Sequence, residues 1–211
     1  MEQRTLGGLI FRTAGLSRFG AAARYFLAVA DYGSRRKLWN FVRCEVDKMR
    51  RCVHPVSLPY IATVDVTNFC NLRCPYCMTG QGRAGRPRGE IDIGHVQTLV
   101  DELGDYLLIA NLSNWGESML SPGISDVVKV FHDRRVFTSL STNLVLKKKD
   151  NLGKICQAGL DYLIMSIDGS TQETYAKYRR GGDLSLVLEN VEYLVKYKRS
   201  FNLRRPILEW Q

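Results

Sequence analysis

The chain of 211 residues contains no run of 18 or more consecutive apolar residues, which argues against a membrane-spanning helix. Its longest apolar stretch near the N-terminus is broken by Arg24 and Asp31. The order of a signal peptide (basic start, apolar run, small-residue cleavage site) is missing. No strict repeat and no low-complexity tract occurs. Cysteine is sparse in a telling way: of six, Cys70, Cys74 and Cys77 fall within eight residues, and no fourth stands nearby. A chain this large, with no export signal and half its thiols clustered, is not a small disulfide scaffold. The pattern points to a reducing compartment, read as cytoplasmic, and to a metal. An arginine-rich transit peptide is the alternative at the N-terminus, with Glu2, Asp31 and several glycines against it.

What is present is enough for one substantial domain: 45% of the residues are hydrophobic. The net charge of +9 is uneven, because residues 1–54 hold eleven Lys and Arg against four Asp and Glu. Such a segment suits an anionic membrane surface, nucleic acid or an acidic protein, or is a solvated helical face. It reads as helical, with Leu38, Phe41, Val42 and Val46 at helical spacing. Pro55 and Pro59 mark a linker.

Strands and helices then alternate. Strands are predicted over 60–66, 106–113, 136–143, 160–169 and from 206. Helices are predicted over 93–104, from a Ser121 cap and Pro122, over 147–158, from Thr171 and from Asp183. This alternation predicts βαβ units, a parallel sheet and an α/β fold. Sites in such sheets form at the C-terminal ends of strands. The cysteines, Gly116 and Glu117, Ser141 and Asn143, and Ser166 and Asp168 all fall at those ends.

Thiolates on a short loop hold zinc or an iron–sulfur cluster. Structural zinc wants four closed ligands, and no second pair is at hand: His54 lies across two prolines and His95 beyond a long loop. Three thiolates leave one iron of a four-iron cluster open to a ligand.

The spacing C-x3-C-x2-C with Tyr76 before the third cysteine, directly after a first strand, resembles the radical S-adenosylmethionine superfamily. "NLSNWGE" is similar to that family's GGE element, with Trp115 in place of the first glycine and Ser118 where proline is common. "STN" at 141–143 and "SIDGSTQETYAKYRRGG" at 166–182 also match, the latter resembling members with a C-terminal SPASM or twitch auxiliary-cluster domain. The resemblance covers about residues 60–211 and implies a partial (βα)6 barrel, here cut within the fifth strand and preceded by N-terminal helices. It divides the chain into a basic helical segment, 1–54, and a core, 55–211, incomplete at its C-terminus.

The resemblance implies a [4Fe-4S] cluster on Cys70, Cys74 and Cys77, with S-adenosylmethionine on the fourth iron. Gly116 and Glu117 are then expected to accept from the ligand's ammonium, and Ser141, Asn143, Ser166 and Asp168 to bind its polar groups. Arg179 is expected to pair with its carboxylate, and Tyr76 to pack near the adenine. Each has a plainer alternative: a helix-cap carboxylate for Glu117, turn chemistry for the Ser, Asn and Asp residues, a solvated arginine, a core tyrosine. Cys44, Cys52 and Cys156 read as buried small residues. Arg83, Arg86 and Arg88 suit an anionic substrate or acidic donor, or a solvated loop. The implied activity is reductive cleavage of S-adenosylmethionine, fed by a flavodoxin- or ferredoxin-like donor and directed at a peptide or small metabolite. The competing readings are a non-catalytic metal- or nucleic-acid-binding module and an inactive truncated relative.

Overall fold

The structure, a computed structural model, describes residues 17–211. The first sixteen residues of the basic segment, with Arg4 and Arg12, lie outside the described residues. Two helices come first, α1 (Ser17–Tyr32) and α2 (Arg35–Met49). Strands and helices then alternate: β1 (Ile61–Thr63), α3 (Ile93–Leu103), β2 (Ile109–Asn111), α4 (Ile124–Asp133) and β3 (Phe137–Thr142). There follow α5 (Asp150–Gln157), β4 (Tyr162–Met165), α6 (Gln172–Tyr178), α7 (Leu184–Ser200) and β5 (Ile207–Trp210). The five strands form one parallel sheet in the order β1-β2-β3-β4-β5. An order that follows the sequence, with a helix in every crossover, is the wall of a (βα) barrel, as expected.

Side chains alternate across the strands and divide the core in two. Ala62, Ala110, Leu140, Leu163 and Leu208 join the larger core, with Val100, Phe131, Ile155 and Val191 of the crossover helices. Ile61, Ile109, Phe137, Tyr162 and Ile207 form the smaller core, which α1 and α2 cover with Leu27, Ala28, Tyr32 and Phe41. Polar contacts tie this end together. The Tyr32 hydroxyl donates to Asp161 Oδ1 at 3.0 Å, and the Thr138 N–H donates to Oδ2 at 2.9 Å. Arg205 lies 3.6 Å from Asp161 and also pairs with Asp31.

Several expectations need correcting. The first strand ends at Thr63 rather than 66, because the chain turns away: Thr67 bridges Glu90, and the Ile91 N–H donates to the Val66 carbonyl at 2.9 Å. Ser121 and Pro122 do not start α4. Its N-cap is Gly123, and the Ser121 hydroxyl donates instead to Glu90 Oε2 at 2.9 Å. The helix predicted over 147–158 starts at Asp150, because Asn190 Nδ2 donates to the carbonyls of Leu144 and Leu146 and holds that connector out of a helix.

The helical spacing of Leu38, Phe41, Val42 and Val46 is realised in α2, but the face that packs is not the apolar one. Phe41 packs edge-on against Tyr60, with ring centroids 4.9 Å apart, but Leu38 and Val42 are 37% and 49% exposed. The helix buries Lys37 and Asn40 instead. Lys37 Nζ donates to the Arg135 carbonyl at 2.5 Å, and Asn40 both accepts from and donates to the Leu58 backbone. Of the three isolated cysteines only Cys156 is buried. Cys44 is half-buried, its thiol donating to the Leu58 carbonyl, and Cys52 is exposed.

Candidate functional site

The site is assembled by the segments leaving the C-terminal ends of β1 to β4. The cysteine loop follows β1 and is pinned from several sides. The Arg73 N–H donates to the Arg180 carbonyl at 2.9 Å, and Asn71 Nδ2 donates to the Val145 carbonyl at 2.6 Å. Gly80 packs so closely that a Cβ there would stand 2.8 Å from the Cys74 nitrogen. Cys74 is buried, and Cys70 and Cys77 are half-buried.

Donors converge on the sulfurs. The Leu72 N–H reaches Cys70 Sγ at 3.4 Å, Asn143 Nδ2 reaches the same sulfur at 3.6 Å, and Arg179 Nη1 reaches Cys74 Sγ at 4.0 Å. Burial pushes the Cys70 thiol up to about 11, with the Leu72 N–H working against it. Burial also raises Cys74, against the pull of Arg179. These thiols hold their protons at neutral pH until a cation replaces them. Among the described residues, no group of three or more His, Cys, Asp or Glu side chains is arranged to hold a metal ion. A four-iron cluster needs no such shared point, since each thiolate serves its own iron. The all-thiol donor set, edged by N–H donors that offset thiolate charge, fits that cluster.

Behind the loop, Gly116 has φ +94°, and a Cβ there would collide with the Thr67 carbonyl oxygen and stand 2.9 Å from that of Phe69. Only glycine allows this approach. It lets the Glu117 N–H donate to the Phe69 carbonyl at 2.8 Å. The Glu117 side chain is buried and accepts three hydrogen bonds: from the Thr142 hydroxyl at 2.7 Å, the Asn143 N–H at 2.7 Å and the Met119 N–H at 3.1 Å. It therefore caps the short turn Ser118–Leu120 and ties the end of β2 to that of β3. Desolvation raises its pKa, against these three donors.

Asn143 is buried as well. Its Nδ2 also reaches Asn71 Oδ1 at 3.1 Å, and its Oδ1 accepts from the Val145 N–H at 2.8 Å. Ser141 and Ser166, at neighbouring strand ends, place their hydroxyl oxygens 3.0 Å apart. Asp168, in a left-handed turn at φ 54°, accepts from Arg179 at 2.5 Å. The Arg179 side chain is only 18% exposed, which removes the solvated alternative. Tyr76 is 87% exposed and stacks on Tyr178 with ring centroids 6.2 Å apart, so it is not a core residue. Of the loop arginines, Arg86 is held by Asp65 at 2.9 Å. A cavity of about 640 Å³ opens beside the loop, lined by Asn71, Val145, Lys147, Lys148, Lys154 and Gly181.

The structure thus gathers Cys70, Asn71 and Asn143 into one hydrogen-bonded cluster and Cys74, Asp168 and Arg179 into a second, with Gly116 and Glu117 behind them. Ser141 and Ser166 form a separate pair, and Tyr76 lies outside. Sequence reasoning missed Thr142, Asn71 and Asp65. Asp65 accepts the Trp115 backbone N–H at 3.0 Å, and Ser118, where proline is common, uses its hydroxyl to donate to the Leu112 carbonyl at 2.6 Å. The position of Asn71, between two clustered cysteines, was the only available signal.

A parallel α/β barrel wall with a thiol loop after its first strand defines a class of metal-cluster barrel proteins. Within it, the chain belongs to the radical SAM superfamily, whose family model matches residues 64–204. Members of this family bind S-adenosylmethionine and iron–sulfur clusters. The chain is 25% identical over 152 residues to the AdoMet-dependent heme synthase of Methanosarcina barkeri, covering 72% of this chain and 43% of that protein. It is 29% identical over 136 residues to the GTP 3',8-cyclase of Alkaliphilus oremlandii, covering 63% of this chain and 42% of that protein. The solved structure of native anSMEcpe with bound AdoMet shares the fold, with a TM-score of 0.56 at 17% identity over 72% of this chain and 42% of that one. The chain spans about two fifths of the length of the curated relatives it matches. No described helix is long and apolar enough to cross a membrane.

Proposed function

We propose that Cys70, Cys74 and Cys77 hold a [4Fe-4S] cluster with S-adenosylmethionine on its open iron, and that the chain is the radical-generating part of an enzyme. The observation that carries this is the thiol loop after β1, met by Asn143 from the end of β3 and by Arg179 from the end of α6. When bound, the pair supplies one-electron reductive cleavage of the sulfonium to methionine and a 5'-deoxyadenosyl radical, which takes a hydrogen from substrate. The residues of the chain position and shield this chemistry. Asn143, the Leu72 N–H and Arg179 direct N–H groups at sulfur and temper its charge. Gly116 presents backbone to the ligand's ammonium, with Glu117 holding the Asn143 backbone at the same place. Ser141, Ser166 and Asp168 offer polar groups to its carboxylate and ribose, Arg179 offers a cation, and Tyr76 is a face for the adenine.

The division into a basic helical segment, 1–54, and a core, 55–211, goes with this reading. The similarity of residues 166–182 to members with a SPASM or twitch domain supports a peptide or small metabolite as substrate. Electrons come from an acidic flavodoxin- or ferredoxin-like donor in the cytoplasm. The test is anaerobic reconstitution with iron and sulfide, then incubation with dithionite and S-adenosylmethionine. Formation of 5'-deoxyadenosine, abolished by Cys74→Ala, supports the proposal. Failure to assemble any cluster overturns it.

A further inference from the structure

The most anomalous surface of the molecule is α2, which is inside out. Its buried side carries Lys37 and Asn40. Its outer side carries Leu38, Trp39, Val42 and Met49, whose spacing places them on one stripe of a helix with the half-buried Val46 beside them. Trp39 is 66% exposed and Met49 is 75% exposed. A folded protein gains nothing from facing a tryptophan and a methionine into water while burying a lysine, unless something covers that stripe.

The charges say what covers it. Arg36, Arg43 and Arg50 recur every seventh residue, which lines one edge of the stripe with cations, and Arg35 falls within it. Both acidic residues of the helix are engaged elsewhere. Glu45 accepts from the Tyr60 hydroxyl at 2.8 Å, and Asp47 accepts from the Ser57 hydroxyl at 2.7 Å. Arg36 pairs with Asp105 at 2.6 Å, whereas Arg35, Arg43 and Arg50 enter no ion pair among the described residues. An apolar stripe holding a tryptophan and edged by arginines is the pattern of a helix lying in the headgroup region of an anionic bilayer.

We propose that the outer face of α2 is a docking surface for an anionic lipid membrane, on which the protein lies without crossing it. Trp39, Val42 and Met49 enter the acyl boundary, and Arg43 and Arg50, with Arg35, meet lipid phosphates. The proposal is independent of the cluster chemistry, and its test needs no turnover.

The experiment is co-sedimentation of the full 211-residue chain with vesicles of equimolar phosphatidylserine and phosphatidylcholine, beside vesicles of phosphatidylcholine alone. Binding is expected to the first and not the second, and to fall with added salt. Trp39→Ser should weaken it about tenfold, the scale set by burying one large apolar side chain. Arg43→Gln should weaken it about fivefold. Trp39 is exposed and Arg43 half-buried with no ion pair to lose, so circular dichroism should find each variant folded. Equal binding to both vesicles, or binding indifferent to Trp39→Ser, would overturn the proposal. So would a dimer, seen by light scattering without lipid, that Trp39→Ser dissolves, since the face would then belong to a second copy.

Discussion

The two ends of the sheet are built with the same device and put to different uses. Each has a buried carboxylate that gathers donors from neighbouring elements. At the C-terminal end Glu117 accepts from Thr142, Asn143 and Met119, and at the other end Asp161 accepts from Thr138 and Tyr32. The difference lies in what surrounds them. Asp161 also has a cation, Arg205, and two helices over it, so the knot is closed. Glu117 passes its order to Asn143, which turns its amide toward Cys70. One end is locked for stability, and the other is locked so that thiols can be presented.

The sharpest way to break this comparison is a pair of substitutions with opposite signatures. Cys74→Ala should reduce S-adenosylmethionine cleavage below detection while changing unfolding free energy of the metal-free chain by less than about 1 kcal/mol. Asp161→Ala should do the reverse: stability falls by about 3 kcal/mol, as buried donors lose their acceptor, while cleavage per folded molecule holds. Urea denaturation and product chromatography measure both. A large stability loss in Cys74→Ala would mean that the loop is structural.

Gly116 gives the next effect. Gly116→Ala must move the backbone of the cysteine loop, since the obstruction is the Thr67 carbonyl, and should cost about 3 kcal/mol. Gly85→Ala, also at positive φ but with nothing within 4 Å, should cost only about 1 kcal/mol. Equal losses would show that the cysteine loop yields to the added methyl.

The βα alternation was legible because β-branched strands and amphipathic helices have different periods, and Thr171 and Asp183 cap the helices expected of them. The cysteines were legible because their meaning is local. Glu117 was visible as a candidate, but not its partner Thr142, because a hydrogen bond between residues 25 apart depends on strand register. The inversion of α2 was hidden for a related reason. Periodicity shows that a helix has an apolar face, and only tertiary contacts show which way that face turns.

Lys37 tests the lower end by pH. Burial, with Arg135 nearby, lowers its pKa to about 8 from 10.5. Between those values the unfolded chain binds the proton that the folded chain has released, so stability rises with pH across that window. Lys37→Met lacks this gain. Its advantage over the parent should therefore shrink by up to about 2 kcal/mol between pH 8 and 10.5, read from chemical denaturation at each pH. A gap that stays constant across the window would mean that the carbonyl of Arg135 keeps Lys37 charged in the fold.

The smallest effect separates structure from binding at the rim. The hydroxyls of Ser141 and Ser166 lie 3.0 Å apart, where one donates to the other. If they serve mainly each other, a double-mutant cycle with Ser141→Ala and Ser166→Ala should give a coupling of about 0.5–1 kcal/mol in unfolding free energy. Affinity for S-adenosylmethionine, from equilibrium dialysis of the reconstituted protein, should then change little in either single variant. If they serve the ligand, the coupling vanishes from unfolding and each alanine weakens binding. The first outcome would extend the closed knot of the lower end to the upper one. The second would mark these strand ends as open, so that the two ends differ in their hydroxyls as well as in their thiols.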